Sequence, residues 1–561
     1  MAGATDPAVM DGYRPLLRGR RHMAVAGHYL AAQAALQILE AGGNAVDAGV
    51  AGGLVLSVVH SEYVNFAGVA PIMIYSAESG RVETISGLGT WPGALTPDLF
   101  QREHGGEIPE GILRTVVPAA PCAWISALQR HGTISFADAA AQAIEHAARG
   151  FVMYPFMANI LASHEADYAR WPSSAEIYLP GGAPPEIGDI FVQSDLAASL
   201  SYMVAEERAA AKEGRVAGLE ASRDAFYRGD IAAKILSYHR ENDGLLAAED
   251  LAEFRCAVEA PLRHRFMDTD VYVCGAWCQG PLLAHALALL QPETLGAEGH
   301  NSAAYIHQIT EALKRAFADR ERHYGDPRFV HVPLERLLSP EHIAAQRALI
   351  QAQAEPTPPS EEVPPVPRDT SYICVVDNDG NAFSATPSDV SYDTPVIPGT
   401  GLCPSSRGSQ SWADPAHPSS AAPGKRPRLT PNPALAMRAG EFVMPFGTPG
   451  GDVQCQAMLQ ILLNILLFGM NPQSAVEAPR FATYSFPNSF APHEAFPGRL
   501  NLEGRFGPEI EAELAARGHD VRLWPDWSPL AGAVCLIFQD LQRGTLAGAA
   551  DPRRPAMAAG R

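Results

Sequence analysis

The sequence predicts a mixed fold, either α+β or layered α/β, because helix and strand patterns alternate along the whole chain. Residues 28–41 have the apolar spacing of an amphipathic helix that ends at Gly42-Gly43. Asn44 and Asp47 then have the spacing of a capping box, which predicts a second, apolar helix. Residues 70–87, APIMIYSAESGRVETISG, predict two strands around a Ser-Gly turn.

The later part of the chain keeps this mixture. Within residues 302–320, apolar side chains recur at helical spacing, and the tripeptide GDP at 325–327 ends that region. Residues 458–470, MLQILLNILLFGM, predict a buried helix, and the stretches VYVCGAW and EFVMPFGT predict further strands. No internal repeat is visible. The tract at 351–369 is the only low-complexity segment, so a boundary between parts of the chain is expected there.

The composition indicates a folded globular protein and argues against two classes of partner. The 561 residues are 47% hydrophobic and 19% charged, with a formal net charge of −20. So acidic a chain has no electrostatic attraction for nucleic acid or an anionic membrane, and neither is expected as a partner. The N-terminal stretch lacks the apolar core of a signal peptide, and the most apolar run, residues 48–59, is too short to span a bilayer. We therefore expect a cytoplasmic protein.

The cysteines predict no disulfide framework and no metal centre. Eight of them are scattered along the chain, mostly inside apolar runs, so buried free thiols are expected. Cys274 and Cys278 form a C-x-x-x-C pair, but no second pair and no nearby histidine set accompanies them. We expect neither a metal nor a cofactor.

A proline-rich tract runs directly into a predicted hairpin. Six prolines lie within residues 356–367, and the stretch DTSYICVVDNDGNAFSATPSD follows at 369–389. With Asp379-Gly380 as a two-residue turn, Thr370 would face Asp389 and Ser371 would face Ser388. An error of one residue in the turn would move this pairing by one or two places. A hydroxyl-rich turn therefore returns beside the start of the first strand.

Thr370 has two interpretations on local sequence. Threonine is a good strand former and Thr–Ser cross-strand pairs are common, so the residue could serve structure alone. If the chain were cut before Thr370, however, the new α-amine could act as the base for the threonine hydroxyl, which is the N-terminal threonine form of nucleophilic catalysis. An exposed tether that ends at a core strand is consistent with a processing site.

Several separated blocks, in order, resemble the γ-glutamyltransferase family of N-terminal nucleophile hydrolases. They are AGGNAVDAGVAGGLVLSVV, FYRGDIAAKILSYHRENDGLLAAEDLAEF at 226–254, TEALKRAFADRERHYGDPRFV at 310–330, DTSYICVVDNDGNAFSAT, GTPGGD at 447–452 and FGMNPQSAVEAPRF at 468–481. The resemblance covers most of the chain. It implies an α+β fold with four αββα layers that forms one catalytic domain.

The resemblance also implies a cleavage site and a catalytic set. A single precursor would cut itself between Asp369 and Thr370, giving a heterodimer of a large segment (1–369) and a small segment (370–561). Thr370 would be the nucleophile, and Ser388 stands where the family has a second threonine that hydrogen-bonds to it. Gly450 and Gly451 would offer backbone N–H groups to the oxyanion, because glycine lets the backbone approach the reacting carbonyl.

The sequence departs from the glutathione-cleaving members in the pocket for the glutamyl group. Leu88 stands where those enzymes hold the α-carboxylate with arginine, and Gln410 stands where they have an acidic residue for the α-amine. One carboxylate-binding serine becomes Leu429, while Thr430 keeps the other hydroxyl. Val390 replaces an asparagine, and Asp389 lies beside it. Most of the recognition of an amino-acid head group is therefore absent.

Arg407, in the stretch SSRGSQS, is new relative to the glutathione enzymes, and that stretch is similar to the branch with oxamate amidohydrolase and cephalosporin-acylase-type relatives. Arg407 is expected either to bind a substrate carboxylate or to be an ordinary surface arginine. The first hypothesis for function is an autoprocessed amidohydrolase or acylase of a small amide or N-acyl compound. The alternatives are a γ-glutamyltransferase with a rebuilt pocket and a self-cleaving but catalytically idle binding protein.

Overall fold

Two seven-stranded sheets form the centre of the molecule, in a computed structural model that describes residues 12–355 and 370–561. The strands are β1 (Leu17–Gly19), β2 (Met23–Ala26), β3 (Ile72–Ser76), β4 (Arg81–Ile85), β5 (Phe151–Val152), β6 (Ile190–Phe191), β7 (Val258–Glu259), β8 (Leu262–Phe266), β9 (Thr269–Val273), β10 (Ile373–Val376), β11 (Ala382–Ala385), β12 (Ala434–Arg438), β13 (Phe442–Gly447), β14 (Phe481–Thr483), β15 (Arg499–Glu503), β16 (Asp520–Trp524), β17 (Cys535–Asp540), β18 (Thr545–Ala550) and β19 (Met557–Gly560).

The helices surround these sheets. They are α1 (Tyr29–Glu40), α2 (Ala45–Val59), α3 (Leu99–Glu103), α4 (Ala120–His131), α5 (Phe136–Arg149), α6 (Pro155–Ser163), α7 (Glu165–Ala169), α8 (Pro172–Tyr178), α9 (Ser194–Ala210), α10 (Arg215–Tyr227), α11 (Asp230–Glu241), α12 (Ala248–Ala252), α13 (Gly280–Leu289), α14 (Pro292–Glu298), α15 (Ala303–His323), α16 (Leu334–Leu337), α17 (Pro340–Arg347), α18 (Val453–Leu466), α19 (Pro472–Glu477) and α20 (Pro508–Ala516).

Both large sheets are antiparallel, and each contains strands from both sides of Thr370. The first has the order β1-β18-β17-β13-β12-β9-β8, and the second has the order β19-β2-β10-β11-β3-β4-β7. Strand β2 therefore lies between β10 and β19. Two smaller sheets, β14-β15-β16 and β5-β6, lie outside this pair.

The two sheets pack face to face, and the apolar cluster between them takes side chains from both. Val25 and Cys374 of the second sheet and Leu435, Val443 and Ile537 of the first belong to this cluster. A second cluster joins β10 and β11 to α1, α2, α4, α5, α9 and α10, and a third joins β12 and β13 to α13, α15 and α18. Two sheets between two helical layers confirm the four-layer αββα prediction.

The local predictions for helices and strands agree with these elements. Asn44 and Asp47 form the predicted capping box at the start of α2, with both reciprocal hydrogen bonds present. The predicted helix at 302–320 is α15, whose N-cap Ser302 accepts a hydrogen bond from the Tyr305 N–H. The buried helix predicted at 458–470 is α18, which begins earlier, at Val453. The pair of strands around the Ser-Gly turn is β3 and β4.

The predicted two-residue turn at Asp379-Gly380 is wrong by one residue. The hairpin closes between Asp377 and Asn381, so the loop has Asn378 as an additional member. Gly380 has φ of +86° at the third loop position, which is the usual place for a left-handed residue after a type I turn. The Asp377 carboxylate also accepts the N–H groups of Asp379 and Asn381. As a result Thr370 pairs with Ser388, within the allowance of the sequence prediction.

Three further predictions bear on the whole chain. Seven of the eight free cysteines are buried and Cys256 is half-buried, as expected. Within residues 12–355 and 370–561, no helix is both long and apolar enough to cross a membrane. The proline-rich tract at 356–367 and the cleavage residue Asp369 lie outside the described residues.

Candidate active site

Thr370 and Ser388 lie side by side just beyond the β10–β11 hairpin. Thr370 precedes β10 by three residues and forms an isolated bridge with Ser388, which also pairs with Val69. The Thr370 Oγ1 and Ser388 Oγ atoms are 2.7 Å apart, a normal hydrogen bond between hydroxyls. Both side chains are buried. The structure therefore brings together the two hydroxyls that the sequence singled out.

Arg407 lies behind this pair and is not a surface arginine. It begins a short 3₁₀ helix, Arg407–Gln410, and only 1% of the residue is exposed. Its Nη2 donates to Ser388 Oγ, and its Nε lies 3.1 Å from Asp389 Oδ1. The ring of Phe490 covers the guanidinium at 5.4 Å from its centroid. The alternative of an ordinary surface residue is wrong, because the Ser-rich loop folds inward around a carboxylate.

Asp389 is the centre of a buried polar network. Its Oδ2 accepts from Ser405 Oγ at 2.7 Å, and its Oδ1 accepts from the N–H and hydroxyl of Ser406 at 3.1 and 3.0 Å. Burial raises the pKa of the Asp389 carboxyl, while the charge of Arg407 and these hydrogen bonds oppose that shift. Asp389 also has φ of +121°, a strained value for a residue with a side chain, and the Asn65 amide holds its carbonyl at 2.9 Å.

Gly450 and Gly451 form the turn between β13 and α18. Their φ values of +123° and +53° favour glycine at both positions. Among the described residues, neither N–H has a hydrogen-bond acceptor. The strand before this turn packs close to the start of β10, because a Cβ added at Gly447 would come within 2.3 Å of the ring of Tyr372, two residues after Thr370. The predicted donors, Gly450 and Gly451, thus follow the end of β13, and β13 packs against the sheet that contains β10.

The turn is held by two residues that the sequence analysis missed. Gln279 Nε2 donates to the Gly451 carbonyl at 3.0 Å and to the Thr430 carbonyl at 3.1 Å. Arg320 forms a buried ion pair with Asp452 and also donates to Gln279 Oε1 at 3.3 Å. Both residues come from the large segment. Their contacts are distant in sequence, so no local pattern could have identified them.

Gln410 and Thr430 form a second contact of predicted residues. The Gln410 amide donates to Thr430 Oγ1 at 2.8 Å, and both residues are buried. Arg407 and Gln410 share one 3₁₀ turn. This turn links the Gln410–Thr430 pair to the Thr370 group, which consists of Thr370, Ser388, Asp389 and Arg407. Leu88 and Leu429 instead belong to the apolar cluster between the sheets, together with Trp277. Both leucines are buried, so neither position offers a polar side chain for a carboxylate.

Two groups of residues elsewhere could hold a metal ion. Within the parts of the chain that are described, they are His285 with Asp319 and His342, and His307 with Glu311 and His519. Both involve helix α15 in the outer helical layer, and neither includes a residue of the Thr370 group.

A family model described as Gamma-glutamyltranspeptidase matches residues 31–561. The chain belongs to the gamma-glutamyltranspeptidase family. This membership confirms the resemblance that the sequence blocks indicated.

Relatives of this gamma-glutamyltranspeptidase-family protein include hydrolases with different names. The chain is 32% identical over 545 residues to the glutathione hydrolase-like YwrD proenzyme of Bacillus subtilis, covering 97% of this chain and 99% of the relative. It is 30% identical over 552 residues to the oxamate amidohydrolase proenzyme of Klebsiella pneumoniae, covering 96% and 98%. The crystal structure of cephalosporin acylase from Bacillus halodurans matches with a TM-score of 0.86 at 26% identity, covering 100% of this chain and 99% of that one. The predicted kinship with the oxamate amidohydrolase and cephalosporin acylase branch is confirmed.

Proposed function

We propose that this protein cuts itself before Thr370 and then hydrolyses a small amide or N-acyl compound through an ester on the Thr370 hydroxyl. The hydrogen bond between Thr370 Oγ1 and Ser388 Oγ at 2.7 Å, backed by Arg407, is the observation that carries this proposal. Relatives that are named as proenzymes, an amidohydrolase and an acylase support the reaction class.

Self-cleavage uses the same hydroxyl as turnover. Thr370 Oγ1 attacks the carbonyl carbon of Asp369, and the peptide C–N bond breaks. The acyl group moves to oxygen as an ester, and the hydroxyl proton goes to the departing nitrogen. Water then hydrolyses that ester, which leaves a carboxylate on Asp369 and an α-amine on Thr370. The amine has a reference pKa of about 7.7–8.0, so about a tenth or more of it is unprotonated at pH 7 and can accept a proton.

In turnover, the α-amine takes the Thr370 hydroxyl proton as Oγ1 attacks the substrate carbonyl. Because Arg407 donates to Ser388 Oγ, the serine can direct its own proton to Thr370 Oγ1 and orient it. The N–H groups of Gly450 and Gly451 would receive the oxyanion, an interaction worth about 3 kcal/mol per donor. The α-amine then passes its proton to the leaving amine, and water hydrolyses the acyl-Thr370 ester to release the acid.

The proposed acyl group lacks an α-amino acid head. Leu88 and Leu429 are both in the apolar cluster, and the amide of Gln410 is engaged with Thr430. A charge-assisted hydrogen bond contributes roughly 1.5–3 kcal/mol, so an apolar residue in the arginine position weakens carboxylate recognition by about one to two orders of magnitude. Asp389 is already engaged with Arg407 and two serines. A γ-glutamyl compound would lose the contacts to both its α-amine and its α-carboxylate, whereas oxamic, succinyl and glutaryl amides carry no α-amine, so we expect these amides to be the better substrates.

The first experiment tests the nucleophile. Purified protein should separate under denaturing conditions into two chains, the second starting at Thr370, and Thr370→Ala should remain one inactive chain. Ser371→Ala is the matched control, because Ser371 is the adjacent buried hydroxyl. Intact wild-type protein after long incubation, or a cleaved and active Thr370→Ala variant, would exclude the proposal.

The second experiment tests the acyl group. The kcat/KM values for a γ-glutamyl anilide and for glutaryl, succinyl and oxamic amides are compared on the same preparation. We expect the γ-glutamyl compound to be the poorer substrate. A clear preference for it would instead support a transferase or glutathione hydrolase with a rebuilt pocket, and no acyl-enzyme with any substrate would support an idle binding protein.

A further inference from the structure

Three residues with metal-binding side chains meet in the outer helical layer. His285 is on α13, Asp319 is on α15 and His342 is on α17. One possible ligand atom from each lies within 4.8 Å of the other two. His342 Nε2 is 2.7 Å from Asp319 Oδ2, and His285 Nε2 is 3.7 Å from the same oxygen. Three separate helices therefore direct two imidazoles and one carboxylate to one point.

The lack of hydrogen bonds to the His285 ring distinguishes this group from ordinary buried polar side chains. Its side chain is fully buried, and neither ring nitrogen makes a hydrogen bond. A buried polar group without a partner is destabilising, so such groups call for an explanation. An imidazole with an unused ring nitrogen beside a carboxylate has the arrangement of a metal ligand.

The second group on the same helix lacks this feature. His307 Nδ1 is hydrogen-bonded to His519 Nε2 at 2.9 Å, and His307 Nε2 to the Gln351 carbonyl at 2.8 Å. Lys314 donates to Glu311 at 2.8 Å and neutralises its charge. Hydrogen bonds and an ion pair within the protein thus satisfy this second group, and it serves as an internal comparison.

We propose that His285, Asp319 and His342 bind a divalent first-row transition-metal ion, with Zn²⁺ as the best match. Zn²⁺ takes nitrogen and carboxylate ligands at about 2.0–2.2 Å in a tetrahedral arrangement, and three protein ligands leave a fourth position for water. Asp319 balances part of the ion's charge, and 14% of the His342 side chain is exposed, which provides a route of entry.

The position of the site indicates a structural role. Helix α17 belongs to the last helical part of the large segment before residue 356, while α13 and α15 contribute to the core of the first sheet. An ion on His342 would attach α17 to those two helices. Arg320, next to Asp319, holds Gln279 and Asp452 beside the Gly450–Gly451 turn, so the same helix would be fixed near the proposed active site.

The test is Zn²⁺ binding to the untagged, full-length protein after treatment with a chelator. Titration calorimetry should show about one ion per chain, and Co²⁺ should give the visible absorption of a tetrahedral site. Zn²⁺ should also raise the Tm, since a ligand that binds only the folded state stabilises it. His285→Leu and His342→Gln should each abolish binding and the Co²⁺ signal, while the matched control His307→Gln should keep both.

His285→Leu offers a readout that does not depend on loss of stability. Because leucine removes the unpartnered nitrogens, the metal-free variant should unfold at the same or a higher Tm than the metal-free wild type, yet gain nothing from Zn²⁺. Absence of Zn²⁺ and Co²⁺ binding in the wild type would overturn the proposal. Binding that survives both His285→Leu and His342→Gln, or that is lost in His307→Gln, would also overturn it.

Discussion

Ser388 contacts both the Thr370 hydroxyl and the Arg407 guanidinium, so its removal has a specific expected result. Ser388→Ala should slow self-cleavage and turnover together by about one to two orders of magnitude, because each loses a hydrogen bond to the reacting oxygen worth roughly 1.5–3 kcal/mol. Ser388→Thr keeps the hydroxyl and should recover most of both rates. The rates are measured by following chain cleavage on denaturing gels and amide hydrolysis in the cleaved protein.

Ser384→Ala is the matched control for this prediction. Ser384 is buried on β11, and its hydroxyl bonds to Tyr372 at the same 2.7 Å distance, but away from Thr370. Its loss should change stability more than cleavage rate. Equal effects of the two alanine variants on cleavage would show that the Thr370–Ser388 contact has no special role.

Arg407 pairs with Asp389 where both side chains are buried, so deleting one partner leaves a buried charge. Arg407→Ala should reduce the free energy of unfolding by about 3–5 kcal/mol, and Asp389→Asn in the same chain should recover part of that loss. Arg407→Lys keeps the charge but lacks the planar fork that reaches Asp389 and Ser388 together, and should slow self-cleavage. Denaturant unfolding and cleavage rates measure these effects.

A different result would assign Arg407 to the substrate. If Arg407→Lys raised KM only for acidic amides and left self-cleavage unchanged, the arginine would bind a substrate carboxylate instead of orienting Ser388. If Asp389→Asn failed to improve the stability of Arg407→Ala, the ion pair would not be the cause of the loss.

At the residue scale, local pattern predicted some of the site and could not predict the rest. Thr370 and Ser388 are on one hairpin, so a turn signal was enough to bring them together. Arg407 was ambiguous because a Ser-rich loop resembles an exposed one, and only the fold shows that its serines converge on Asp389. Gln279 carries no motif, and its contacts with Thr430 and Gly451 exist only after the two segments are packed.

At the scale of elements, the sequence predicted existence and type better than register. Capping residues and apolar spacing are local, and they located α2 and α15 to within a few residues. The β10–β11 register depended on whether Asn378 belongs to the loop. Asp377 decides this, because its carboxylate accepts the N–H groups of Asp379 and Asn381 and closes a three-residue turn. In a sequence, Asp377 is a weaker signal for the position of the turn than the Asp-Gly pair.

Asp326, in the turn after α15, should make the free energy of unfolding decrease in acid. Burial alone would raise the pKa of the Asp326 carboxyl, but hydrogen bonds from Arg328 and Arg426 lower the pKa to about 2. The unfolded chain binds this proton near pH 4, so the carboxylate contributes about 2 kcal/mol above that pH. The contribution is lost as the pH falls from about 4 to 2.

Asp326→Asn tests this pH dependence of stability. Urea unfolding of the wild type and the variant is compared at pH 7, 5, 4 and 3. The wild type should be the more stable protein at pH 7 and 5, and the difference should shrink below pH 4. A difference that stays constant down to pH 3 would show that the carboxylate charge is not the source of the stability.

At the scale of the whole molecule, the order of the layers followed from family resemblance, whereas the strand order could not be read from local pattern. Strand β2 of the large segment lies between β10 and β19 of the small segment, and β9 pairs with β12 across the same division. Pairings between strands hundreds of residues apart depend on packing of the complete chain.

Because strands of the two segments pair with each other in both sheets, we predict that the cleaved chains remain associated as one complex. After self-cleavage, both chains should elute together from a native size-exclusion column, and only strong denaturant should separate them, because separation breaks strand pairs inside both sheets. The uncleaved Thr370→Ala protein provides the reference elution volume. A small chain that elutes alone without denaturant would contradict the strand order.

The place of β19 also orders events in time. The sheet that holds Thr370 is completed only when β19 pairs with β2, and almost the whole small segment separates β19 from Thr370 along the chain. A ribosome must therefore have made nearly all of that segment before the sheet can close. During roughly the last third of synthesis, the growing chain therefore already contains Thr370 while that sheet is still incomplete. If self-cleavage requires the complete sheet, we expect it to follow release of the finished chain, so that strand order sets its timing.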